Sequence, residues 1–287
     1  MALPTSKTLS VVITTKNRWS DLERTLNALS KDYPQYPVLI IDDGSEQRPD
    51  SDLTQLHPRV EIETASSSVG LIVRRNQLAQ AAQTPYVLSL DDDSYPVSGQ
   101  FDEVTSWMDS NVDVLCSSLP IFNPIKDRFQ NAPRGKAPST TRAFFGCAHI
   151  MRRSAFIDLG AYNDELIHQG EEMDLGARGV LDGQRCVHFP GALIHHLESN
   201  EGRNWTRMDY YGARNAVLWN DWYVPTRLQR VRSLRRAAAT TVHAAKTRRL
   251  GQIRGHLAAR QLRPSLQHYR KRFDEDMFRR WLALPFA

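Results

Sequence analysis

The chain has few cysteines and no long hydrophobic run, and these absences exclude several classes of protein. Its three cysteines, Cys116, Cys147 and Cys186, are far apart and form no CxxC pair. This pattern argues against a disulfide framework or a zinc site and fits a reducing cytosol. No segment approaches the roughly 20 apolar residues that span a bilayer, and the N-terminus does not resemble a secretory leader. We therefore expect a cytoplasmic protein without a membrane-spanning segment.

A glycine-rich phosphate loop is also missing. The first predicted strand, residues 9–14, is followed by a loop over 15–19 that contains no glycine. A dinucleotide fingerprint needs glycines where the backbone approaches the pyrophosphate, and a P-loop needs Gly-Lys followed by Ser or Thr. The sequence thus excludes NAD enzymes and P-loop NTPases. A bound phosphate would have to be held by a metal ion and arginines.

The positive charge of the chain is concentrated at one end. Residues 225–287 contain sixteen Lys and Arg against three Asp and Glu, although the net charge of the whole chain is only +5. Such a basic helical extension favours peripheral contact with an anionic membrane surface. A solvated arm or a homodimerisation arm is the alternative. Nucleic acid is disfavoured, because no binding motif is present and the acidic body would repel a polyanion.

Apolar strands alternate with helical patterns through the first half of the chain. Predicted strands cover residues 9–14, 37–41, 60–64 and 86–90, with helices after Ser20 and over 70–82. This order predicts an α/β fold with a mainly parallel sheet flanked by helices. We expect one such domain over residues 1–224 and a basic helical extension over 225–287. Ligands of these sheets lie beyond the carboxyl ends of the strands.

Three consecutive carboxylates, Asp91, Asp92 and Asp93, follow the strand over 86–90, and Pro96 is predicted to stop further regular structure. Carboxylates this close repel one another and cannot be buried without a compensating charge. A hard divalent cation with oxygen ligands, Mg2+ or Mn2+, would compensate them and commonly brings phosphates with it. The alternative is an acidic turn held by water.

Several motifs stand in an order that resembles the family 2 glycosyltransferases. They are Val-Val-Ile-Thr-Thr-Lys-Asn-Arg, Ile-Ile-Asp-Asp-Gly-Ser, Arg-Arg-Asn, Leu-Asp-Asp-Asp, Phe-Gly-Cys-Ala-His-Ile-Met, Gly-Glu-Glu-Met-Asp-Leu and His-His. The resemblance covers roughly residues 8–220. It implies the GT-A fold, a Rossmann-like mixed sheet, and a metal-dependent inverting sugar transfer.

The resemblance assigns a set of residues to the nucleotide-sugar donor. Asp43 would hydrogen-bond the imide of the base, with Thr14 and Arg18 nearby, although Asp-Gly-Ser is also ordinary turn chemistry. Arg75 would bracket the base or the diphosphate through its donor fork; the alternative is a solvated helix face. The resemblance also implies that the three consecutive aspartates form a DXD-type site, in which Asp91 and Asp92 would contact the nucleotide sugar.

The same resemblance implies a metal site and a base. Asp93 and Asp91 would hold the cation, and a histidine soon after the base, His196 or alternatively His195, would add a ligand that favours Mn2+ over Mg2+. Adjacent strand residues point to opposite faces, so only one of the two histidines should reach the site.

The general base of an inverting transfer is expected in the first turn of a helix that follows Gly170. The family usually has Gly-Glu-Asp here, with the base at the Asp position, which corresponds to Glu172. Glu171 remains the alternative base, and simple compensation of the helix dipole is the structural alternative for both. Asp174 is expected to support the loop, and Arg178 is expected to point outward from the helix.

We therefore interpret the sequence as a glycosyltransferase that moves a sugar from a nucleotide-diphosphate sugar to a saccharide, lipid-linked or other hydroxyl acceptor. A sugar-phosphate nucleotidyltransferase is the rival enzyme, but it would normally need a glycine-rich N-terminal loop. A catalytically silent protein with the same fold is the alternative from another class, and the carboxylates at all the expected positions argue against it.

Overall fold

The computed structural model describes residues 5–49, 52–199 and 204–287, whose strands form two sheets. The strands are β1 (Leu9–Thr15), β2 (Val38–Asp42), β3 (Val60–Thr64), β4 (Tyr86–Asp91), β5 (Ser94–Gly99), β6 (Val114–Ser118), β7 (Ile121–Asn123), β8 (Arg128–Asn131), β9 (Ser139–Thr141), β10 (His149–Arg152), β11 (Arg185–His188) and β12 (Ala192–His196). The larger sheet has the order β3-β2-β1-β4-β10-β6-β11-β9, and the smaller has the order β5-β12-β7-β8. Strands β3, β2, β1 and β4 are parallel, whereas β10 is antiparallel to both β4 and β6.

Helices pack on both faces of the larger sheet, as predicted. They are α1 (Trp19–Asp32), α2 (Leu71–Ala81), α3 (Phe101–Asp109), α4 (Arg153–Asp158), α5 (Glu171–Leu181), α6 (Trp205–Tyr223), α7 (Thr226–Thr247), α8 (Gly251–Leu262) and α9 (Glu275–Ala283). Across the described residues, none of these helices combines the length and apolar character needed to cross a bilayer.

The alternation of side chains along β1 separates two hydrophobic cores. Val11 and Ile13 enter a core with α1 and α3, whereas Val12 enters the core on the opposite face. That second core includes apolar residues of α2, α5, α6 and α9, among them Leu175 and Trp281. The last helices of the chain therefore cover the same face of the sheet as α5.

Residues 225–287 are packed closely against the preceding helix α6. Gly255 of α8 lies so near α6 that a Cβ atom there would stand 2.0 Å from the carbonyl oxygen of Tyr210. Arg263 and Arg270 both form ion pairs with the buried carboxylate of Asp221. Part of the basic charge is thus neutralised internally. The predicted domain boundary after residue 224 falls between α6 and α7 and stays a prediction.

Pro96 does not stop regular structure, so that expectation was wrong. It lies within β5, where it is paired with Ile194 of β12. Strand β5 is at the edge of the smaller sheet. An edge strand tolerates proline, because an N–H that faces away from the sheet makes no ladder hydrogen bond. The turn at Asp92 and Asp93 is therefore held between two strands, β4 and β5.

Candidate active site

A cleft at the carboxyl ends of β1, β2 and β4 brings together most of the residues predicted to bind the donor. Its lining includes Thr14, Arg18, Asp43, Asp91 and Asp92. Strand β1 is parallel to both neighbours, with Thr14 opposite Asp91, so the three carboxyl ends meet at one edge. The sheet topology therefore assembles residues that are nearly eighty positions apart.

Arg18 neutralises two of the three consecutive carboxylates. Its guanidinium lies 2.9 Å from Asp92 Oδ1 and 2.7 Å from Asp93 Oδ2. Thr15 donates its hydroxyl to the other oxygen of Asp92 at 2.9 Å. Burial raises the pKa of Asp92 to about 7, and the charge of Arg18 opposes that rise. Both oxygens of Asp92 are thus engaged by protein donors.

Asp93, Asp91 and His196 form a cluster whose donor atoms suit a divalent cation. Asp93 Oδ1 is buried, has no hydrogen-bond partner within the described part of the chain and lies 3.2 Å from His196 Nε2. Asp91 Oδ2 lies 3.7 Å from the same nitrogen. Two carboxylates and an imidazole make a donor set that fits Mn2+ well. The residues present therefore fit the metal that the family resemblance implies.

The other ring nitrogen of His196 is held by Gln130. Gln130 Oε1 lies 2.8 Å from Nδ1, so a proton on Nδ1 is accepted by the amide and Nε2 faces the aspartates. A hydrogen bond at one ring nitrogen commonly orients a metal-binding histidine in this way. Burial would lower the pKa of His196, but its close contact with Asp93 and the negative charges of Asp91 and Asp93 raise it.

His195 lies outside this cluster. Its ring instead contacts Tyr95 and Phe122, with centroids 5.6 Å and 5.7 Å away. The structure thus places one of the two adjacent histidines beside the aspartates, as side-chain alternation predicts. Cys147 is a further neighbour, because its sulfur lies within 4.8 Å of ligand atoms of Asp91 and His196. Burial raises the pKa of Cys147 well above its usual value, which keeps it a neutral thiol.

Asp43 is bound on both oxygens by the loop that leads into α2. It accepts hydrogen bonds from the Ser68 hydroxyl, the backbone N–H groups of Val69 and Gly70, and Arg74 Nε, at 2.6 to 2.9 Å. Burial alone would raise the pKa of Asp43, but these donors lower it. The carboxylate therefore organises this loop from within the cleft. Its predicted contact with the base stays a prediction.

Arg75 joins the aspartates to the predicted base. Its side chain is buried, with Nη2 2.6 Å from Asp91 Oδ1 and Nη1 3.3 Å from Glu171 Oε1. Gly146 makes room for this contact, because a Cβ atom there would lie 2.9 Å from Arg75 Nη1 and 2.6 Å from Glu172 Oε1. Arg75 therefore does not lie on a solvated helix face. It is the cation between two groups of carboxylates.

Replacing Arg75 by methionine should lower the free energy of unfolding by about 3–5 kcal/mol, because breaking a buried ion pair leaves uncompensated carboxylates. Equilibrium urea unfolding measures this change. Arg24→Met is the matched control, since Arg24 is 53% exposed and its partner Asp21 keeps a second cation, Arg18. That control should cost at most about 1 kcal/mol. Equal losses in the two variants would contradict the bridging role.

Glu171 and Glu172 begin α5 but occupy different environments. Glu171 is 3% exposed and faces Arg75, and its Oε2 has no partner among the described residues. Glu172 is only half-buried. Burial, followed by the charge of Glu171, raises the pKa of Glu172 to about 8. The half-buried carboxylate is the better placed of the two to reach an acceptor.

Asp174 supports the end of this segment rather than the site itself. It is fully buried and accepts hydrogen bonds from Tyr223 Oη at 2.6 Å and from Arg178. Arg178 was expected to point outward, and this expectation was wrong. Its guanidinium turns back to Asp174 and to the carbonyl oxygens of Leu159 and Ala161.

Three contacts that hold the site residues in place were not predicted from the sequence. Thr15, Gln130 and the backbone N–H of Ser199 each hold a site residue, and Ser199 donates to Asp93 Oδ2 at 2.8 Å. Gln130 lies in β8, in a stretch without any motif. Thr15 is different, because its position at the end of β1 could have suggested a contact with the neighbouring strand end.

The chain is similar to known glycosyltransferases in sequence and in structure. The pre-mycofactocin glycosyltransferase of Mycobacterium tuberculosis is 28% identical over 240 residues, which cover 75% of this chain and 48% of that protein. This chain therefore spans about half the length of that curated relative.

Solved structures share the fold at low sequence identity. The structure of GalNAc-T7 with UDP, GalNAc and Mn2+ has a TM-score of 0.61 at 19% identity, covering 75% of this chain and 48% of its own. The mannosyltransferase PcManGT from Pyrobaculum calidifontis, in complex with GDP-Man and Mn2+, has a TM-score of 0.55 at 17% identity, with coverages of 75% and 65%. These likenesses confirm the predicted GT-A architecture.

The family assignment comes from a further comparison. The family model described as Glycosyl transferase family 2 matches residues 10–160, just over half of the chain. The matched region contains the cleft at the ends of β1, β2 and β4 and the three consecutive aspartates. This protein belongs to glycosyltransferase family 2.

Proposed function

We propose that this protein transfers a sugar from a nucleoside-diphosphate sugar to an acceptor hydroxyl, with inversion at the anomeric carbon and in the presence of a divalent cation. The observation that carries the proposal is the buried Arg75, which connects the Asp91 cluster to the Glu171–Glu172 pair. An inverting transfer needs a leaving-group site and a base on opposite sides of one reacting carbon. The two carboxylate groups supply candidates for both.

The leaving-group side is proposed at the strand ends. Asp93, Asp91 and His196 would hold the cation, with Mn2+ preferred because of the imidazole. When bound, the cation supplies Lewis-acid stabilisation of the negative charge on the departing diphosphate. The cleft lined by Thr14, Arg18 and Asp43 would receive the nucleotide.

Glu172 is the proposed base on the acceptor side. Its carboxylate would accept the proton of the acceptor hydroxyl as that oxygen bonds to the anomeric carbon and the bond from this carbon to the diphosphate oxygen breaks. The products are the glycosylated acceptor and a nucleoside diphosphate. Arg75 would hold Glu171 and Asp91 in place on either side of this reaction.

The proposal is tested by incubating the protein with Mn2+, a panel of UDP-, GDP- and dTDP-sugars, and candidate acceptors, and measuring nucleoside diphosphate release. Release that chelation abolishes and Mn2+ restores supports the transferase. Donor binding without turnover for every acceptor would favour a catalytically silent protein. Formation of pyrophosphate from a nucleoside triphosphate and a sugar phosphate would favour the nucleotidyltransferase.

We also propose that the outer face of α7 contacts an anionic membrane surface from the cytoplasmic side. Val231, Leu234 and Val242 are 51%, 72% and 52% exposed and lie on one side of the helix with the exposed Arg227 and Arg230. Apolar side chains interleaved with arginines are typical of helices that lie in the interface of anionic bilayers.

Leu234→Glu should weaken binding to vesicles of phosphatidylcholine and phosphatidylglycerol several-fold, because it removes apolar area and adds repulsion. Co-sedimentation at low and high salt measures the effect, and high salt should weaken wild-type binding as well. Leu257→Glu is the matched control on α8, where Leu257 is 53% exposed. Wild-type protein that fails to sediment with anionic vesicles at low salt would refute the membrane contact.

A further inference from the structure

A second cavity lies against the first turn of α5, and three arginines line it. We call it the arginine cavity and define it by Arg142, Arg232, Arg236, Met173, Trp219 and Trp281. It encloses about 190 Å3. Gly170 and Met173, which flank Glu171 and Glu172 in the chain, both border it. The cavity therefore borders the first turn of α5, the turn that also carries the proposed base.

The three arginines of the cavity have no acidic partner in the described part of the chain. None of the cavity's lining residues is acidic, and the Nε atoms of Arg142 and Arg232 are buried without a hydrogen-bond acceptor. Burial lowers the pKa of Arg232, and the charges of Arg142 and Arg235 lower it further. Other arginines of the same C-terminal segment, Arg263 and Arg270, do have a carboxylate. The cavity thus holds positive charge that no described protein group compensates.

The rest of the cavity lining includes apolar side chains. Trp219 and Trp281 stack with ring centroids 5.2 Å apart. Trp219 Nε1 also donates a hydrogen bond to the carbonyl oxygen of Met173 at 3.0 Å. The guanidinium of Arg142 lies over the Trp281 ring at 5.9 Å. A ligand that matches the cavity therefore combines an anionic head with an apolar portion.

The C-terminal helices build this cavity onto the family fold. Arg232 and Arg236 come from the side of α7 opposite to its exposed apolar face, and Trp281 comes from α9. The backbone N–H of Arg142 donates a hydrogen bond to the carbonyl oxygen of Pro285. The carbonyl oxygen of Arg142 in turn accepts a hydrogen bond from Trp281 Nε1. The basic segment is thus tied to the loop that leads to Gly146 and the proposed reaction centre.

We propose that the arginine cavity binds the phosphoryl group of an acceptor that also carries an apolar chain, and so presents the acceptor hydroxyl to Glu172. This assignment rests on the proposed transferase function. Guanidinium forks match the oxygens of a phosphoryl group, and three positive charges suit a group that can carry two negative ones. The tryptophans and Met173 accommodate the adjoining hydrocarbon.

Isothermal titration of the full chain with n-octyl phosphate, without donor, tests the cavity independently of catalysis. Wild-type protein should bind this probe at least tenfold more tightly than it binds n-octanol or inorganic phosphate. The double variant Arg232→Gln/Arg236→Gln should bind it at least tenfold more weakly than wild type, because two charge-assisted contacts are lost. Arg254→Gln, at an exposed arginine of α8 outside the cavity, should bind like wild type.

The outcomes separate this proposal from the transferase proposal. Equal affinity of wild type and the double variant would overturn the cavity assignment, whatever the transfer assay shows. Equal affinity for n-octyl phosphate and inorganic phosphate would also overturn it, because the site would then be one for free phosphate. Binding that needs the arginines, without sugar transfer to any phosphorylated acceptor, would support the ligand site and count against the transferase. If the double variant unfolds, the single variant Arg236→Gln, at an exposed side chain, is titrated instead. It should also bind n-octyl phosphate at least tenfold more weakly than wild type, and equal affinity would overturn the cavity assignment.

Discussion

Replacing Glu172 by glutamine should reduce the rate of sugar transfer by roughly 10²–10⁴-fold, because the acceptor hydroxyl loses the group that accepts its proton. Binding of the nucleotide-sugar donor should remain close to that of the wild type, since Glu172 belongs to the acceptor side. Single-turnover transfer and donor titration measure the two quantities separately. Unchanged transfer in this variant would show that Glu172 is not the base.

Two further measurements make this test specific. Glu172→Asp keeps a carboxylate, the residue that the family usually has at this position, and should recover a large part of the activity. Glu172→Gln should raise the unfolding midpoint at neutral pH, because a carboxyl whose pKa is raised to about 8 in the folded state must take up a proton on folding at pH 7, and the neutral amide avoids that cost. A large loss of stability would instead indicate a structural role.

The raised pKa of Glu172 also predicts how the activity depends on pH. A base acts only when deprotonated, so kcat/KM should rise with pH through the folded-state pKa of about 8. The acidic limb of the profile should therefore lie near neutral or slightly alkaline pH rather than near the ordinary value for glutamate. A limb near pH 4.5 would contradict this assignment of the base.

Asp93→Asn should abolish tight binding of Mn2+ and lower transfer activity by about a thousandfold or more, because several kcal/mol of charge stabilisation at the leaving diphosphate are lost. The substitution removes the negative charge of a buried carboxylate. Its Oδ1 faces His196 Nε2 and has no hydrogen-bond partner among the described residues. Calorimetric titration with Mn2+ and nucleotide release in saturating Mn2+ measure the two effects.

The control for this variant is Asp113→Asn. Asp113 is half exposed and pairs with Arg185 far from the cluster, so its loss removes the same charge at a remote position. It should bind Mn2+ and turn over like the wild type. Wild-type Mn2+ affinity in Asp93→Asn would refute the metal site as proposed here, and equal effects of the two substitutions would reduce it to a general charge effect.

The strands that carry the site could be predicted closely from the sequence. The predicted strands over 9–14, 37–41 and 60–64 correspond to Leu9–Thr15, Val38–Asp42 and Val60–Thr64. Short runs of apolar and β-branched residues bounded by polar loops carry this information locally. The place of Pro96 within a strand could not be predicted, because a strand tolerates proline only at a sheet edge, and the edge is a property of the assembled sheet.

The environments of the individual site residues were less predictable. Arg75 was expected to contact the donor or solvent, yet it pairs with Glu171, which is 96 positions later in the chain. The choice between His195 and His196 depends on how β12 pairs with β5 and β7. Such contacts join distant segments, and no local pattern records which segments will meet.

By itself, the sequence determined the alternation of strands and helices and the position of acidic and basic residues at strand ends. This was sufficient, because parallel strands necessarily bring their carboxyl ends to one edge of the sheet. Only the tertiary structure decided that Arg75 bridges the two carboxylate groups. It also decided that Arg232 and Arg236 line a cavity next to α5, on the side of α7 opposite to its exposed apolar face. These outcomes depend on how helices from the end of the chain pack against the sheet, and composition and periodicity do not specify that packing.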